Sequence, residues 1–225
     1  MKKVSVKLYE FGELSEQVRK KHVEDNRFKV GYDVMECYSH DYKSTLEKFS
    51  ELMGIEVYNW QVDYCGRYFN FRFKSDGPLM GDWNWKDYYA DEISGKLLRR
   101  WLNNNFVSDL LEAKKYYSRK SGSKKVRRSR IQMQSWEDLP LTGMCYDFDI
   151  LKPIFDVLAK PIPESFTLND LVEECLYKFF DVWHKEYEYW CDTDSAIEEE
   201  LENRYEGQLF FEDGTKFVGI YEEAA

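Results

Sequence analysis

Apolar residues recur at steps of three and four from Leu168 to Trp190: Leu168, Val172, Cys175, Phe179, Trp183, Tyr187 and Trp190, widened by Leu171, Leu176 and Phe180. That period predicts an amphipathic helix over 167–190 with one broad buried face. Thr167 and Asp170 occupy the two positions of a capping box, and Pro161 and Pro163 stop an upstream helix from running into it. At 1.5 Å rise per residue a helix of this span is roughly 35 Å long, enough to cross a domain.

The other elements follow from the same reading. Val4, Val6 and Leu8 alternate with polar positions, which predicts a strand over Val4–Tyr9. Ser15 opens a charged surface helix through Val18, His22 and Val23, with His22 structural at the edge of its stripe. A second helix is predicted over Asp33–Met53, inward face Met35, Tyr38, Tyr42, Leu46, Phe49 and Leu52, closed by Gly54. Ile55, Val57, Trp60 and Val62, then Phe69, Phe71 and Phe73 alternating with Tyr68, Asn70, Arg72 and Lys74, read as a hairpin over 55–74. Residues 75–85 read as a loop in which Asp76, Asp82, Trp83 and Trp85 cluster. Helices are expected from Lys86 or Asp87 to Trp101, from Phe106 toward Tyr117, and from about Asp149 to before Pro161, and a short strand at Ile131 and Met133. Asp192 or Asp194 caps a last acidic helix through Ile197, Leu201 and Tyr205, and Asp213-Gly214 turns a hairpin between 208–211 and 215–218. The fold class expected is α+β: mostly helical, with a small antiparallel sheet packed on several helices, including the long one near 167–190. No linker divides the chain, so a single domain over 1–225 is expected, with a mobile basic insertion near 114–130.

Composition adds two things. Aromatic residues make up 17% of the 225 positions, far more than a disordered chain carries, so most of the chain folds. The formal charge of −10 is also unevenly placed: fourteen acids against three Lys and Arg lie between Asp181 and the C-terminus. That end repels nucleic acid and attracts basic surfaces. Opposed to it is a run of nine bases within 114–130, Lys114, Lys115, Arg119, Lys120, Lys124, Lys125, Arg127, Arg128 and Arg130, interleaved with Tyr116 and Tyr117. Such a run suits phosphate contact and base stacking.

The five cysteines, Cys37, Cys65, Cys145, Cys175 and Cys191, are odd in number and lack zinc-finger spacing, which predicts free thiols in the cytoplasm. The opening is too polar for a signal peptide, and no apolar run is long enough for a membrane span. A phosphate-binding loop, a dinucleotide fingerprint and a nucleophile elbow are all missing. The weak catalytic pairings are Cys37 with His40 and His184 with Glu188, each at helical spacing, and Asp147 with Asp149, which would share a face on a strand. No catalytic residue, metal or cofactor is assigned.

Phe11-Gly12-Glu13-Leu14-Ser15-Glu16-Gln17-Val18, with Lys20, Lys21, Glu24 and Asp25 behind it, resembles the opening of a set of small proteins encoded by phages and prophages. Those proteins run from a short strand into F-x-E-L-S-E-x-A-K-x-x-A; here Val18 and His22 replace the alanines. Leu46–Val57 is similar to their helix–Gly–strand unit, and Phe210-Phe211-Glu212-Asp213-Gly214 to their terminal hairpin. Their W-S-Q-G-D-G-A stretch is not preserved, Val62–Arg67 standing in its place. Members mostly lack an assigned function, so the resemblance implies an origin rather than an activity.

The expected function is therefore a non-enzymatic phage accessory protein in the host cytoplasm. It binds a host protein or protein–nucleic-acid complex, inhibiting a defence or regulatory assembly in the manner of anti-CRISPR and other anti-defence proteins. Its contact surface is acidic: Asp192, Asp194, Glu198, Glu199, Glu200, Glu202 and Glu206. The alternatives are a nucleic-acid binder using 114–130, and a hydrolase or transferase. No membrane contact is expected, and the oligomeric state is not legible.

Overall fold

The structure, a computed structural model, describes residues 5–74, 92–105 and 141–219, without the side chains of 103–105. Helix α1 spans Glu16–Met53, strands β1 and β2 span Ile55–Asp63 and Gly66–Phe73, and helices α2 to α5 span Gly95–Asn105, Tyr146–Ala159, Leu168–Asp192 and Asp194–Arg204. The chain is thus mostly helical with one small antiparallel sheet, as its pattern predicts. It gathers into two compact units, 1–38 with 185–225, and 39–184; α1 and α4 contribute residues to both.

In the first unit, Phe11, Leu14, Val23, Val30, Val34, Ile197, Leu201 and Phe210 form a buried cluster, with Tyr9, Val18, Trp190 and Tyr205 packed against it. The strand expected over Val4–Tyr9 is not formed among the described residues. Tyr9 alone pairs, exchanging hydrogen bonds of 3.0 and 2.9 Å with Phe210. Val6 is exposed and Leu8 only half-buried, so the alternation makes no fully buried face among the described residues. The C-terminal hairpin likewise shrinks to one bridge between Phe210 and Lys216, around a turn where Gly214 has φ +84°. Its Asp213 carboxylate accepts the Thr215 N–H at 2.9 Å, which holds that carboxyl below its ordinary pKa.

The two helices expected over 15–53 are one. Gly31 lies within α1 without breaking it, because the position is needed small: a Cβ there would meet the Cys191 Sγ at 2.5 Å and the Trp190 carbonyl oxygen at 3.0 Å. Close backbone approach offsets the cost of about 1 kcal/mol that a mid-helix glycine carries relative to alanine. At the other end of this unit Thr193 takes the N-cap position of α5, not Asp192, which closes α4, nor Asp194, which is the first helical residue.

The second unit is built on α4. Leu168, Leu171, Val172, Cys175, Leu176, Phe179, Phe180 and Trp183 are all buried. The capping box closes as the sequence predicts: the Asp170 N–H donates to Thr167 Oγ1 at 3.1 Å, and the Thr167 N–H donates to Asp170 Oδ2 at 2.9 Å. Tyr42 lies between two rings, stacked on Tyr146 at 3.7 Å and on Trp183 at 4.7 Å.

Strands β1 and β2 pair in antiparallel register, Ile55 opposite Phe73 and Asp63 opposite Gly66, with a bulge between Tyr58 and Gln61. Asn59 takes φ +46° there. The extra residue reverses strand parity, so Trp60 faces the same side as Ile55 and Val57. On that side Trp60 and Phe69 pack on Phe180 of α4. Arg67 pairs with Asp181, and the His184 ring is 2.7 Å from the Asp63 carbonyl oxygen.

Two boundaries differ from expectation. Helix α2 begins at Gly95 rather than before residue 92, because Ser94 is held in a bridge to Thr167 and Gly95 has φ +53°. Helix α3 begins at Tyr146, which places Asp147 and Asp149 in its first turn rather than on a strand. Arg99 of α2 closes its other end, donating to the carbonyl oxygens of Val157, at 2.9 Å, and Lys160. The 75–85 loop, the 86–91 part of the helix expected to run to Trp101, the helix expected from Phe106 toward Tyr117, the strand at 131–133 and the basic run at 114–130 lie outside the described residues.

Candidate partner-binding surface

Helix α5 carries Asp194, Glu198, Glu199, Glu200 and Glu202, with Asp192 before it at the end of α4 and Glu206 in the turn after it, and three arginines decide how these acids are used. Arg19 of α1 pairs with Glu198 at 2.7 Å while donating to the carbonyl oxygens of Leu14 at 2.7 Å and Gly12 at 3.1 Å. Arg27, two turns further along α1, pairs with Asp194 and donates to the Cys191 carbonyl at 2.9 Å. Arg204, at the end of α5, bridges Glu200 at 2.8 Å and Asp33 of α1 at 2.6 Å. Each pair is partly exposed and contributes about 0.2–1 kcal/mol. Together they fix the rotation of α5 about its axis, because their acids lie on the side toward α1.

The sequence candidates therefore divide. Asp194, Glu198 and Glu200 are engaged within the fold. Glu199, Glu202 and Glu206 are exposed and pair with no cation among the described residues. Glu202 runs beside Gly12, where a Cβ would meet its Oε1 at 2.8 Å. Asp192 is exposed at the end of α4. The outer face of α5 thus carries the carboxylates of Glu199 and Glu202, with Glu206 in the turn beyond, on a helix whose inner face is locked.

Of the weak catalytic pairings, His184 has its Nδ1 2.7 Å from the Asp63 carbonyl oxygen. Cys37 and His40 are both exposed on α1. His22 is enclosed by the rings of Phe11, Tyr205 and Phe210, and its Nε2 lies 3.0 Å from the Gly214 carbonyl oxygen. Asp147 is wholly buried and accepts the N–H groups of Leu141, Thr142 and Gly143 at 2.9, 2.8 and 3.0 Å, so its carboxylate orders the turn that enters α3. Asp149 beside it is half-buried; burial raises its pKa against the opposing pull of Lys178. Burial also pushes the Cys175 thiol well above its ordinary range, and the Cys191 thiol upward. Among the described residues no group of three or more His, Cys, Asp or Glu side chains is arranged to hold a metal ion, and no helix is long and apolar enough to cross a membrane.

Sequence reasoning missed the arginine locks. Their signal was present only as Arg19 and Arg27 standing eight residues apart on one helix, with nothing local to name their partners. The outer side of the hairpin was also passed over, although the alternation that placed Phe69, Phe71 and Phe73 inward placed Tyr68, Asn70 and Arg72 outward. Set against family models, curated proteins and solved structures, the chain matches none of them.

Proposed function

We propose that this chain is a non-enzymatic, phage-type accessory protein that binds a macromolecular partner of the host through the outer face of α5. The partner is a defence or regulatory complex with a basic surface of the kind that holds nucleic acid. One observation carries the reading: Glu199 and Glu202 on α5, and Glu206 in the turn just beyond it, are exposed with no cation paired to them among the described residues, while the helix's other acids are pinned by Arg19, Arg27 and Arg204. Fixed carboxylates in a row present to a basic groove what phosphates present, without the entropy cost of ordering a flexible tail. The eleven acids against three bases between Lys185 and Gly219 add long-range steering toward such a groove. The resemblance of the Phe11–Val18 opening supports the phage origin.

The test uses the tagged full-length chain in extract of a bacterial host, followed by affinity measurement with the partner recovered. Glu199→Lys/Glu202→Lys/Glu206→Lys should weaken binding at least tenfold and leave the melting temperature unlowered, and a DNA duplex should compete with the unaltered chain. Equal binding by the triple variant, or a partner without a basic face, would remove the reading. Glu198 and Glu200 are unsuitable for this purpose, since their loss also unlocks the helix.

A further inference from the structure

Tyr9 pairs with Phe210, and Phe210 in turn with Lys216, so residues 8–10, 208–211 and 215–218 lie as a short antiparallel ladder with 208–211 in the middle. Phe210 is buried and Tyr9 packs against the same core. Alternation then puts Leu8, Leu209, Phe211 and Phe217 on the opposite face. Leu209 is 36% exposed and Phe217 37%, while Leu8 and Phe211 are half-buried. The Phe211 and Phe217 rings meet across the ladder, centroids 5.8 Å apart. The alternation that predicts a strand with one buried face thus finds only part of its cover within the chain.

We infer that this ladder takes an extended segment of a protein partner as a further strand beside 215–218, a segment with apolar residues at alternate positions and basic residues at its ends. The edge selects an extended polypeptide. The Phe217 N–H donates to the Leu209 carbonyl oxygen at 2.7 Å, and the Phe211 N–H donates to the Thr215 carbonyl oxygen at 2.8 Å. The Phe217 carbonyl oxygen accepts from the Gln208 side chain at 2.9 Å. Those groups face the middle segment, so the N–H and C=O of Lys216, between them, face away. Neither Lys216 nor Val218 makes a main-chain hydrogen bond among the described residues. Sheet edges are commonly blunted by outward lysines or by proline. Here Lys216 is turned inward, its Nζ 4.3 Å from the centre of the Tyr205 ring, and the residue two beyond it is Val218, 83% exposed. A strand added along this edge continues the ladder and lays alternate side chains beside Phe217.

Charge selects the ends of that segment. Glu212 and Asp213 stand in the turn at one end of the 215–218 edge. Glu206 stands near the other, two residues before the Gln208 whose side chain reaches Phe217. None of the three is in an ion pair among the described residues. Between Tyr205 and Gly219 these three acids face Lys216 alone. Lys7 over the Tyr9 ring and Lys21 near Asp213 are matched in number by Glu10 and Glu13, so the local field is negative. That field repels nucleic acid and also a second copy of this chain, whose formal charge is −10, and it attracts a basic segment. The edge lies beyond the α5 surface and does not depend on the function proposed for it.

The experiment is fluorescence anisotropy of the full-length chain with a labelled peptide, Lys-Lys-Val-Thr-Val-Thr-Val-Lys-Lys, beside two controls. One control has glutamate in place of every lysine; the other is N-methylated at every central residue and lacks those N–H donors. Saturable binding of the first peptide is expected, roughly tenfold or more tighter than that of either control. Leu209→Ser/Phe217→Ser should weaken it at least about tenfold. Glu206→Lys/Glu212→Lys should reverse the preference between lysine and glutamate ends. Glu199→Lys/Glu202→Lys should leave binding within about threefold, which separates this edge from the α5 surface. Amide hydrogen exchange at Lys216 should slow when the peptide is bound. The N-methylated peptide and the exchange measurement use the unaltered chain, so neither depends on a variant folding. Absence of binding, equal binding of the N-methylated peptide or unchanged exchange at Lys216 would overturn the inference. So would sedimentation showing a dimer of the free chain that Leu209→Ser/Phe217→Ser dissociates, because a second copy would then occupy the edge.

Discussion

Gly31 of α1 and Cys191 of α4 touch backbone to side chain: a single carbon added to Gly31 would stand 2.5 Å from the Cys191 sulfur. The contact explains both a glycine in the middle of a 38-residue helix and a cysteine buried beside a strongly acidic segment. Gly31→Ala should lower stability by about 1–3 kcal/mol through overpacking, despite alanine's better helix propensity. Cys191→Ala in the same chain should restore only part of this, because the Trp190 carbonyl remains in the way. Thermal melts of the two variants and their combination measure both effects.

The five thiols should separate by burial. Cys37, Cys65 and Cys145 are exposed and should react promptly with a thiol reagent at mildly alkaline pH, whereas Cys175 and Cys191 should react only on unfolding. Burial holds the Cys175 thiol neutral beyond its ordinary range. Its contribution to stability is therefore complete below the ordinary thiol pKa and is lost as pH rises from there toward the raised value, because the unfolded chain releases its proton first. Denaturant midpoints at pH 8 and pH 10 should fall further for the unaltered chain than for Cys175→Ala.

Asp147 should be among the least replaceable carboxylates of the second unit. Asp147→Ala leaves the N–H groups of Leu141, Thr142 and Gly143 without their acceptor, and should cost about 2–3 kcal/mol. Asp149→Asn should do the opposite at neutral pH, raising the melting temperature slightly, because burial already disfavours its charged form. That gain should vanish when the pH falls below the ordinary carboxylate range, where Asp149 is protonated in both states.

The two sides of α5 should respond with opposite signs. Arg204→Ala removes the shared partner of Asp33 and Glu200 and should lower stability by up to about 1 kcal/mol. Glu202→Lys removes a like-charge neighbour three residues from Glu199 and should leave stability unchanged or raise it by about 0.5 kcal/mol. Its gain should shrink in about 0.5 M salt, where the Debye length is a few ångströms.

What was legible in the candidate surface was its sign, not its division of labour. Counting acids placed seven carboxylates near α5, but Glu198 and Glu199 are indistinguishable as letters. The difference is that Arg19, far away in sequence, reaches one and not the other. The outer face of the hairpin was half legible: alternation assigned Tyr68, Asn70 and Arg72 to it, whereas the bulge that brings Tyr58 to the same face depends on pairing with Phe69's strand.

The sequence by itself determined the features whose partners are close along the chain. The Thr167–Asp170 box, the buried stripe of α4, the inward Phe69, Phe71 and Phe73, and the Asp213-Gly214 turn each follow from residues two to four apart, the range over which a helix or strand repeats. Tertiary structure alone decided the rest. Gly31 continues a helix because Cys191 and Trp190 need its missing side chain; Tyr9 forms one bridge rather than a strand because Phe210 offers one; and three arginines choose which acids face outward. Those outcomes depend on contacts between distant segments, whose energies exist only once the chain has folded and which no local pattern encodes.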